Sequence, residues 1–163
     1  MRSVVLIPTY NEIDSLPSAL DRVRSAAVQA HILVIDDNSP DGTGALADAR
    51  AQSDDHIHVL HRTEKNGLGP AYLAGFKWAL ENDFELIIEM DADGSHRAED
   101  LALLIQRAEM ADKPDLVIGS RWISGGATQG WSQKRVLLSR AGNVYINLAL
   151  GLNVRDATAG FRV

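Results

Sequence analysis

The chain has 163 residues, with 16 basic and 22 acidic side chains, and 45% of its residues are apolar. This length fits a single domain, and the composition excludes a disordered or collagen-like chain. The net charge of −6 argues against a nucleic-acid partner, and the absence of cysteine excludes disulfides and zinc–thiolate sites. No apolar run approaches the ~18 residues of a membrane-spanning helix, and the first residues show no signal-peptide pattern.

Apolar runs and amphipathic stretches alternate along the chain. Short continuous apolar runs are typical of parallel strands buried on both faces, and apolar residues three or four apart predict helices. The predicted strands are 4–7, which we expect Pro8 to end, then 31–35, 57–60, 85–90 and 115–118. The predicted helices are 16–27, 43–51, 73–80, 101–108 and 137–148, the last capped by Gly151. This alternation predicts an α/β fold, a mostly parallel sheet flanked by helices.

Two regions depart from this pattern. Residues 120–133 are rich in glycine and poor in apolar side chains, which predicts a functional loop. The final residues, 160–163, resemble the middle of a structural element. We expect residues 1–163 to form one catalytic domain and the natural chain to continue beyond Val163.

Polar side chains follow four of the predicted strands. Tyr10 and Glu12 follow the first, Asp37 ends the second, Asp91 and Asp93 follow the fourth, and Arg121 follows the fifth. The carboxyl ends of parallel strands form the ligand-binding edge of such a sheet. Helix capping is the alternative explanation, but it accounts for one acidic residue at each site rather than for pairs.

The spacing of Asp91 and Asp93 suits a hard divalent cation. Two carboxylates that flank a small residue at the end of a strand can face one point, and Mg²⁺ takes one or two protein carboxylates with water and phosphate oxygens. The alternative is a helix N-terminus with acidic residues that complement its dipole. The buried strand before Asp91 favours the metal. Asp37 could hydrogen-bond a ribose or a base edge.

Basic residues concentrate after the glycine-rich loop. Lys134, Arg135 and Arg140 lie there, and Arg121 and Arg162 add to them. Arginine can bind phosphate through two parallel hydrogen bonds, whereas a solvated helix surface is the alternative, which we favour for Lys134 alone. The apolar stripe of the same helix suits either core packing or a membrane interface, and we favour the core.

Six motifs in order resemble family 2 glycosyltransferases, and within them the polyprenyl-phosphate mannose synthases. They are VVLIPTYNE (4–12), VIDDNSPDGT (34–43), NGLGPA (66–71), MDADGSH (90–96), GSR (119–121) and DATAGFR (156–162). The resemblance implies an inverting enzyme with a GT-A fold. It implies mannosyl transfer from GDP-mannose to a polyprenyl or dolichyl monophosphate, with Mg²⁺ or Mn²⁺ as cofactor.

The resemblance also implies roles for individual residues. The nucleotide-sugar donor would contact Pro8, Tyr10, Glu12, Ile35, Asp37, Asp91, Ala92, Asp93, Ser95 and Arg121. The metal would be held by Asp91, Asp93 and Ser95, where the family often has Gln at the last position. The acceptor phosphate would be held by Arg135, Ser139, Arg140 and Arg162. Asp91, Asp93 and Arg121 would be the catalytic residues. Independently of the resemblance, the closeness of His96 to the aspartate pair in the sequence predicts that it supports the pair without binding the cation.

The lipid acceptor implies a peripheral protein on the cytoplasmic face of a membrane, with an anchoring subunit or domain as a further expected partner. Three alternatives stay open. A UDP-glucose-dependent enzyme of the same family could act on polyprenyl phosphate or a saccharide. A receiver-like signalling module also carries an Asp-Asp pair and binds Mg²⁺. A nucleotide-binding fragment could bind donor without transferring it.

Overall fold

A four-stranded parallel sheet with the strand order β3-β2-β1-β4 lies at the centre of the structure, a computed structural model that describes residues 1–94, 96–123, 126, 128 and 131–163. The strands are β1 (Ser3–Thr9), β2 (His31–Asp36), β3 (Ile57–His61) and β4 (Leu86–Glu89). The helices are α1 (Leu16–Ala26), α2 (Thr43–Ser53), α3 (Leu68–Glu81), α4 (Ala98–Ala108) and α5 (Gln133–Leu150). The predicted α/β class is confirmed.

Helices cover both faces of the sheet. Side chains alternate along β1, so Val5 and Ile7 pack with α1, α2 and α4 while Val4 and Leu6 pack against α3. All four of these β1 side chains are fully buried. Burial on both faces explains why the strands have continuous apolar sequences.

Pro8 does not end the first strand, contrary to our expectation. β1 runs to Thr9, and Pro8 pairs in register with Ile35 of β2. The Leu6 carbonyl faces β4, so Pro8, two residues on, faces the same side. The pairing with β4 stops at Leu6, and the missing N–H of Pro8 therefore leaves no partner strand unsatisfied.

The predicted fifth parallel strand, 115–118, is wrong. The segment 117–119 instead pairs antiparallel with 161–163, through hydrogen bonds of 2.8–2.9 Å such as Gly119 N–H to the Phe161 carbonyl. Arg162 bridges Glu89 of β4 on its other side. The C-terminal segment thus lies between β4 and 117–119. Buried Phe161 anchors it to the core, whereas Leu116 is half exposed.

Helix α5 also departs from our expectation, because none of its residues is buried. Ser132 accepts a hydrogen bond from the Arg135 N–H at its start, and Gly151 caps its end in the left-handed conformation, as predicted. Side-chain amides of Asn143 and Asn147 tie it to the backbone of residues 154–157. The core interpretation of its apolar stripe is therefore wrong for this chain. Across the described ranges, no helix combines the length and hydropathy needed to cross a bilayer.

Three imidazoles, those of His31, His56 and His58, meet at the amino ends of β2 and β3. The His31 Nδ1 lies 2.9 Å from the His58 Nε2, and the His31 and His56 rings are 4.7 Å apart. Burial, together with the charges of His56, His58 and nearby arginines, lowers the pKa of His31 to about 4. Folding therefore favours the neutral form of this ring.

This cluster should make the fold sensitive to mild acid. Because the folded pKa of His31 lies below its unfolded value of 6.5, its stabilisation is complete above pH 6.5 and is lost as the pH falls from 6.5 towards 4. We predict a loss of about 2 kcal/mol, after allowance for the partial exposure of the ring. Urea unfolding of the wild type and His31→Phe at pH 7.5, 6.0 and 4.5 tests this. The variant should lose less stability than the wild type, and equal losses would contradict the prediction.

Gly75 marks the closest approach of α3 to the sheet. A Cβ at this position would lie 2.6 Å from Ile35 Cδ1 and 3.0 Å from Leu6 Cδ1, both on fully buried side chains. We predict that Gly75→Ala lowers the free energy of unfolding by about 1–3 kcal/mol through overpacking. Gly69→Ala, on the same helix with nothing within 4 Å, is the matched control and should be neutral or slightly stabilising. Equal effects in the two variants would refute this close packing.

Candidate active site

The candidate site lies at the carboxyl ends of β1 and β4. β1 leads through α1 to β2 on one side, whereas the chain returns through α3 to β4 on the other, so the crevice between β1 and β4 is the topological switch point of the sheet. Tyr10 follows β1 there, and Asp91 follows β4. The strand order thus brings together residues that lie 81 positions apart in the sequence.

Asp91 is held by two neighbours. Its Oδ1 accepts from the Tyr72 hydroxyl at 3.4 Å, and its Oδ2 lies 3.1 Å from His96 Nε2. Burial raises the pKa of Tyr72 well above its usual value, and the charges of Asp91 and Glu89 raise it further, so the hydroxyl stays a proton donor. His96 in turn stacks on Phe161, with ring centroids 5.1 Å apart. The Asp91 carboxylate therefore has a fixed orientation.

Residues 91–94, which we call the acidic turn, are partly buried and partly exposed. Ala92 is buried and Asp93 is exposed. Gly94 has a φ of +78°, and a Cβ there would lie 3.1 Å from the Arg22 guanidinium of α1. The turn thus rests on α1 and presents Asp93 outward. Ser95, predicted to join the metal site, lies outside the described residues.

The acidic turn fits a divalent cation only in part. Among the described residues, no group of three acidic, histidine or cysteine side chains is placed to hold a metal. Asp91 and Asp93 supply hard oxygen ligands, and Mg²⁺ often takes only one or two of these from protein, the rest coming from water and substrate phosphate. The donor set therefore fits an ion that binds together with a diphosphate.

Two basic residues that the sequence did not single out contact Tyr10 and Asp37, which were predicted to bind the donor. The Lys65 Nζ lies 3.8 Å from the centre of the Tyr10 ring. Asp37 pairs with Arg62 at 2.7 Å. Burial raises the pKa of Asp37, although Arg62 opposes this. Arg62 and Lys65 come from the segment after β3, whose sequence carries no strand-end motif.

Two predicted donor contacts, Pro8 and Ile35, lie within strands, each one residue before the end of its strand. Ile35 is fully buried between α3 and the sheet, so its side chain faces the core. Pro8 is half-buried within β1. Glu12 lies near the rim, where its backbone N–H donates to the Thr43 Oγ1 at 2.9 Å and its carboxylate accepts from Ser15. Tyr10 and Glu12 therefore remain the best placed of the predicted contacts from β1.

Arg121 is engaged by a buried carboxylate. Asp156 accepts from Nε and Nη2 of Arg121 at 2.9 and 2.6 Å and from its backbone N–H at 2.9 Å. Asp156 is 1% exposed. Burial alone would raise its pKa, but the Arg121 hydrogen bonds outweigh burial and hold the pKa below its usual value. Sequence reasoning missed Asp156, although it begins the last motif.

The segment 156–162 contacts both the acidic part of the site, at Asp91, and the part that contains Arg121 and Ser139. Thr158 contacts Arg121 and lies 3.1 Å from the Ser139 hydroxyl on α5. A Cβ at Gly160 would lie 3.5 Å from the Asp91 Oδ2. At its end the Arg162 Nε lies 2.9 Å from Glu89 Oε2, an ionic contact without hydrogen-bond alignment. Burial raises the pKa of Glu89, and Arg162 partly offsets this, so the guanidinium predicted to hold phosphate faces a carboxylate.

Comparison with known proteins gives the family. The model of glycosyl transferase family 2 matches residues 4–163. The chain belongs to this family. This membership removes the receiver-like alternative.

Two curated relatives are similar over 99% of the chain. An undecaprenyl-phosphate mannosyltransferase of Micrococcus luteus is 52% identical over 162 residues, which are 65% of that protein. A polyprenol monophosphomannose synthase of Mycolicibacterium smegmatis is 51% identical, and the match covers 60% of it. The chain thus spans less than two-thirds of the length of these relatives.

A solved structure gives the same fold. The mannosyltransferase of Pyrobaculum calidifontis, in complex with GDP-mannose and Mn²⁺, aligns with a TM-score of 0.58 and 25% identity over 68% of this chain and 33% of that one. The GT-A fold that the motifs implied is confirmed.

The buried ion pair should carry measurable stability. We predict that Asp156→Asn lowers the free energy of unfolding by about 3 kcal/mol, because it leaves the Arg121 charge without its partner. Asp112→Asn is the matched control, since Asp112 binds Arg107 through two hydrogen bonds of 2.8 Å at an exposed site. Its effect should be too small to resolve. Guanidinium denaturation measures both, and a small effect at both sites would contradict the assignment.

Proposed function

We propose that this chain is a catalytic domain that transfers mannose from GDP-mannose to a polyprenyl monophosphate with inversion. One observation supports it above all: segment 156–162 contacts the Asp91 carboxylate, Arg121 and Ser139 of α5. A transferase for two phosphate-bearing substrates needs an acidic metal-binding group and a basic phosphate-binding group in one crevice. The two relatives named for mannosyl transfer to polyprenyl phosphate support the substrate class.

The donor would lie across the carboxyl ends of β1 and β4. Tyr10, with Lys65 over its ring, offers an aromatic surface for the nucleoside. The neighbour solved with GDP-mannose and Mn²⁺ supports this donor and a divalent ion. Asp93 and Asp91 would hold Mg²⁺ or Mn²⁺, which when bound neutralises charge on the departing diphosphate. Tyr72 and His96 keep the Asp91 carboxylate oriented for this role.

The acceptor needs no strong protein base. A phosphate monoester is largely ionised near pH 7, because its second pKa is about 6. Arg135 and Arg140 would orient that phosphate towards the anomeric carbon, and Ser139 would donate a further hydrogen bond. A single displacement then forms the new C–O bond as the GDP leaves, which inverts the anomeric configuration. The protein mainly positions the reactants and stabilises charge.

A lipid acceptor also implies that the reaction takes place at a membrane surface. We propose peripheral association on the cytoplasmic face, where a nucleotide sugar is available, with a further domain or subunit as the anchor. Lys134 and Arg135 at the exposed start of α5 could face anionic lipid.

Radiolabelled transfer tests the proposal directly. Purified protein is incubated with labelled GDP-mannose, a polyprenyl phosphate and Mn²⁺, with and without EDTA, and lipid-extractable label is counted. We expect label in the lipid fraction only without EDTA. A parallel reaction with labelled UDP-glucose addresses the alternative donor, since label from UDP-glucose alone would replace the mannosyl proposal. Donor binding without transfer from either nucleotide sugar would favour the alternative of a non-transferring nucleotide-binding domain.

Asp93 provides the sharpest mutational test. We predict that Asp93→Asn lowers the transfer rate by about 100-fold or more, the order seen when one charge-stabilising group is removed, while the melting temperature stays unchanged. Asp83→Asn is the matched control, because Asp83 is exposed in the left-handed conformation that Asn tolerates and lies before β4, at the other end of that strand. Its activity should equal that of the wild type. Full activity in Asp93→Asn would disprove the metal assignment.

A further inference from the structure

Three arginines and two tryptophans alternate beside α5. The guanidinium carbons of Arg140 and Arg121 lie 4.8 and 5.8 Å from the centre of the Trp122 ring. Those of Arg121 and Arg135 lie 4.8 and 4.0 Å from the centre of the Trp131 ring. We call this series, Arg140–Trp122–Arg121–Trp131–Arg135, the Arg–Trp ladder. Neither tryptophan was predicted to belong to the site.

The ladder gathers three positive charges around one negative charge. Arg121 pairs with Asp156, whereas no carboxylate within the described ranges forms an ion pair with Arg135 or Arg140. Like charges held this close repel one another unless something lies between them. Each of the three guanidinium groups lies within about 6 Å of the centre of an indole ring, whose electron-rich face attracts a cation. The tryptophans thus permit an excess positive charge to stay concentrated.

The N–H groups of Arg135 and Arg140 are available to a ligand. Within the described residues neither guanidinium donates a hydrogen bond, and its contact with an indole ring leaves its N–H groups able to donate to an anion. The side chain of Arg135 is anchored by Trp131 alone among the described contacts, and Arg135 is exposed. Arg140 is likewise exposed and lies over Trp122. Both therefore offer donors to a phosphate without first breaking an ion pair.

Trp122 carries a further sign that the indole face matters. Its Nε1 is buried and has no hydrogen-bond acceptor among the described residues. A buried donor without a partner costs stability, so a phenyl ring would be the cheaper choice for packing alone. The indole face of Trp122 attracts cations more strongly than that of Phe or Tyr, which fits its contacts with Arg121 and Arg140.

We propose that Trp122 and Trp131 are positioning residues for the acceptor phosphate. They hold Arg135 and Arg140 apart and oriented, so that a monophosphate headgroup meets a ready-made array of donors. The inference rests on the proposed function for the identity of the acceptor. It adds that acceptor affinity, and not donor affinity, depends on the two indoles.

Binding of a short acceptor separates this inference from the transfer reaction. Isothermal titration calorimetry measures the affinity of the protein for geranyl monophosphate, with geraniol and inorganic phosphate as further arms. We expect geranyl monophosphate to bind, geraniol not to bind, and inorganic phosphate to compete. Lack of geranyl monophosphate binding by the wild type overturns the inference. Binding without mannose transfer leaves the ladder standing and overturns the proposed function.

Variants of Trp131 test the role of the ring. Trp131→Leu should weaken geranyl monophosphate binding by about tenfold, and Trp131→Phe should restore it to within about threefold, because a phenyl face keeps part of the attraction. Affinity for GDP-mannose should not change in either variant. Wild-type acceptor affinity in Trp131→Leu, or an equal loss of donor affinity, overturns the proposal.

Arg135→Lys gives a second test that is independent of core packing, since Arg135 is exposed. It keeps the charge but replaces the planar group that lies over Trp131 and donates in pairs. We expect an unchanged melting temperature, an unchanged KM for GDP-mannose and a KM for the lipid phosphate raised by about fivefold or more. An unchanged KM for the lipid phosphate would show that charge alone is enough, and would overturn the positioning role.

Discussion

The buried ion pair between Asp156 and Arg121 organises the site. The pair joins the C-terminal segment, which carries Asp156, to the segment that carries Arg121. The Asp156 carboxylate is almost inaccessible to water. After Asp156, the Thr158 hydroxyl contacts the Ser139 hydroxyl, and Gly160 packs against Asp91. A buried carboxylate of this kind is stable only while its cation stays in place, so the pair fixes the separation of the acidic and basic halves of the crevice.

Arginines counter two of the carboxylates at the rim. Glu89 lies against Arg162, and Asp37 lies against Arg62. Burial would otherwise push the paired carboxylates towards their neutral forms. The arginine partners keep the rim ordered without adding net charge. The Arg–Trp ladder differs from the rim, because within the described ranges Arg135 and Arg140 form no ion pair with a carboxylate.

The sequence indicated where the acidic residues of the candidate site lie, but not what its arginines contact. Asp91 and Asp93 follow a buried strand directly, and the end of a strand places side chains at the sheet edge by local geometry alone. Arg121 was expected to address the donor, and the structure adds a carboxylate partner 35 positions later. Arg162 was expected to bind phosphate, and the structure places it against Glu89. The sequence did not reveal either partner, because arginine side chains are long and sequence spacing does not determine which group they contact.

The sequence by itself determined the α/β class, four of the strands, all five helices in outline and the motifs that mark the family, because periodicity and strand-end chemistry are local. The tertiary structure alone decided that residues 160–163 insert antiparallel beside β4, since this pairing joins segments more than 70 positions apart. It also decided which tryptophans contact the arginines, and that the Ile35 side chain faces the core. These outcomes depend on which surfaces meet after folding, and no local pattern encodes that choice.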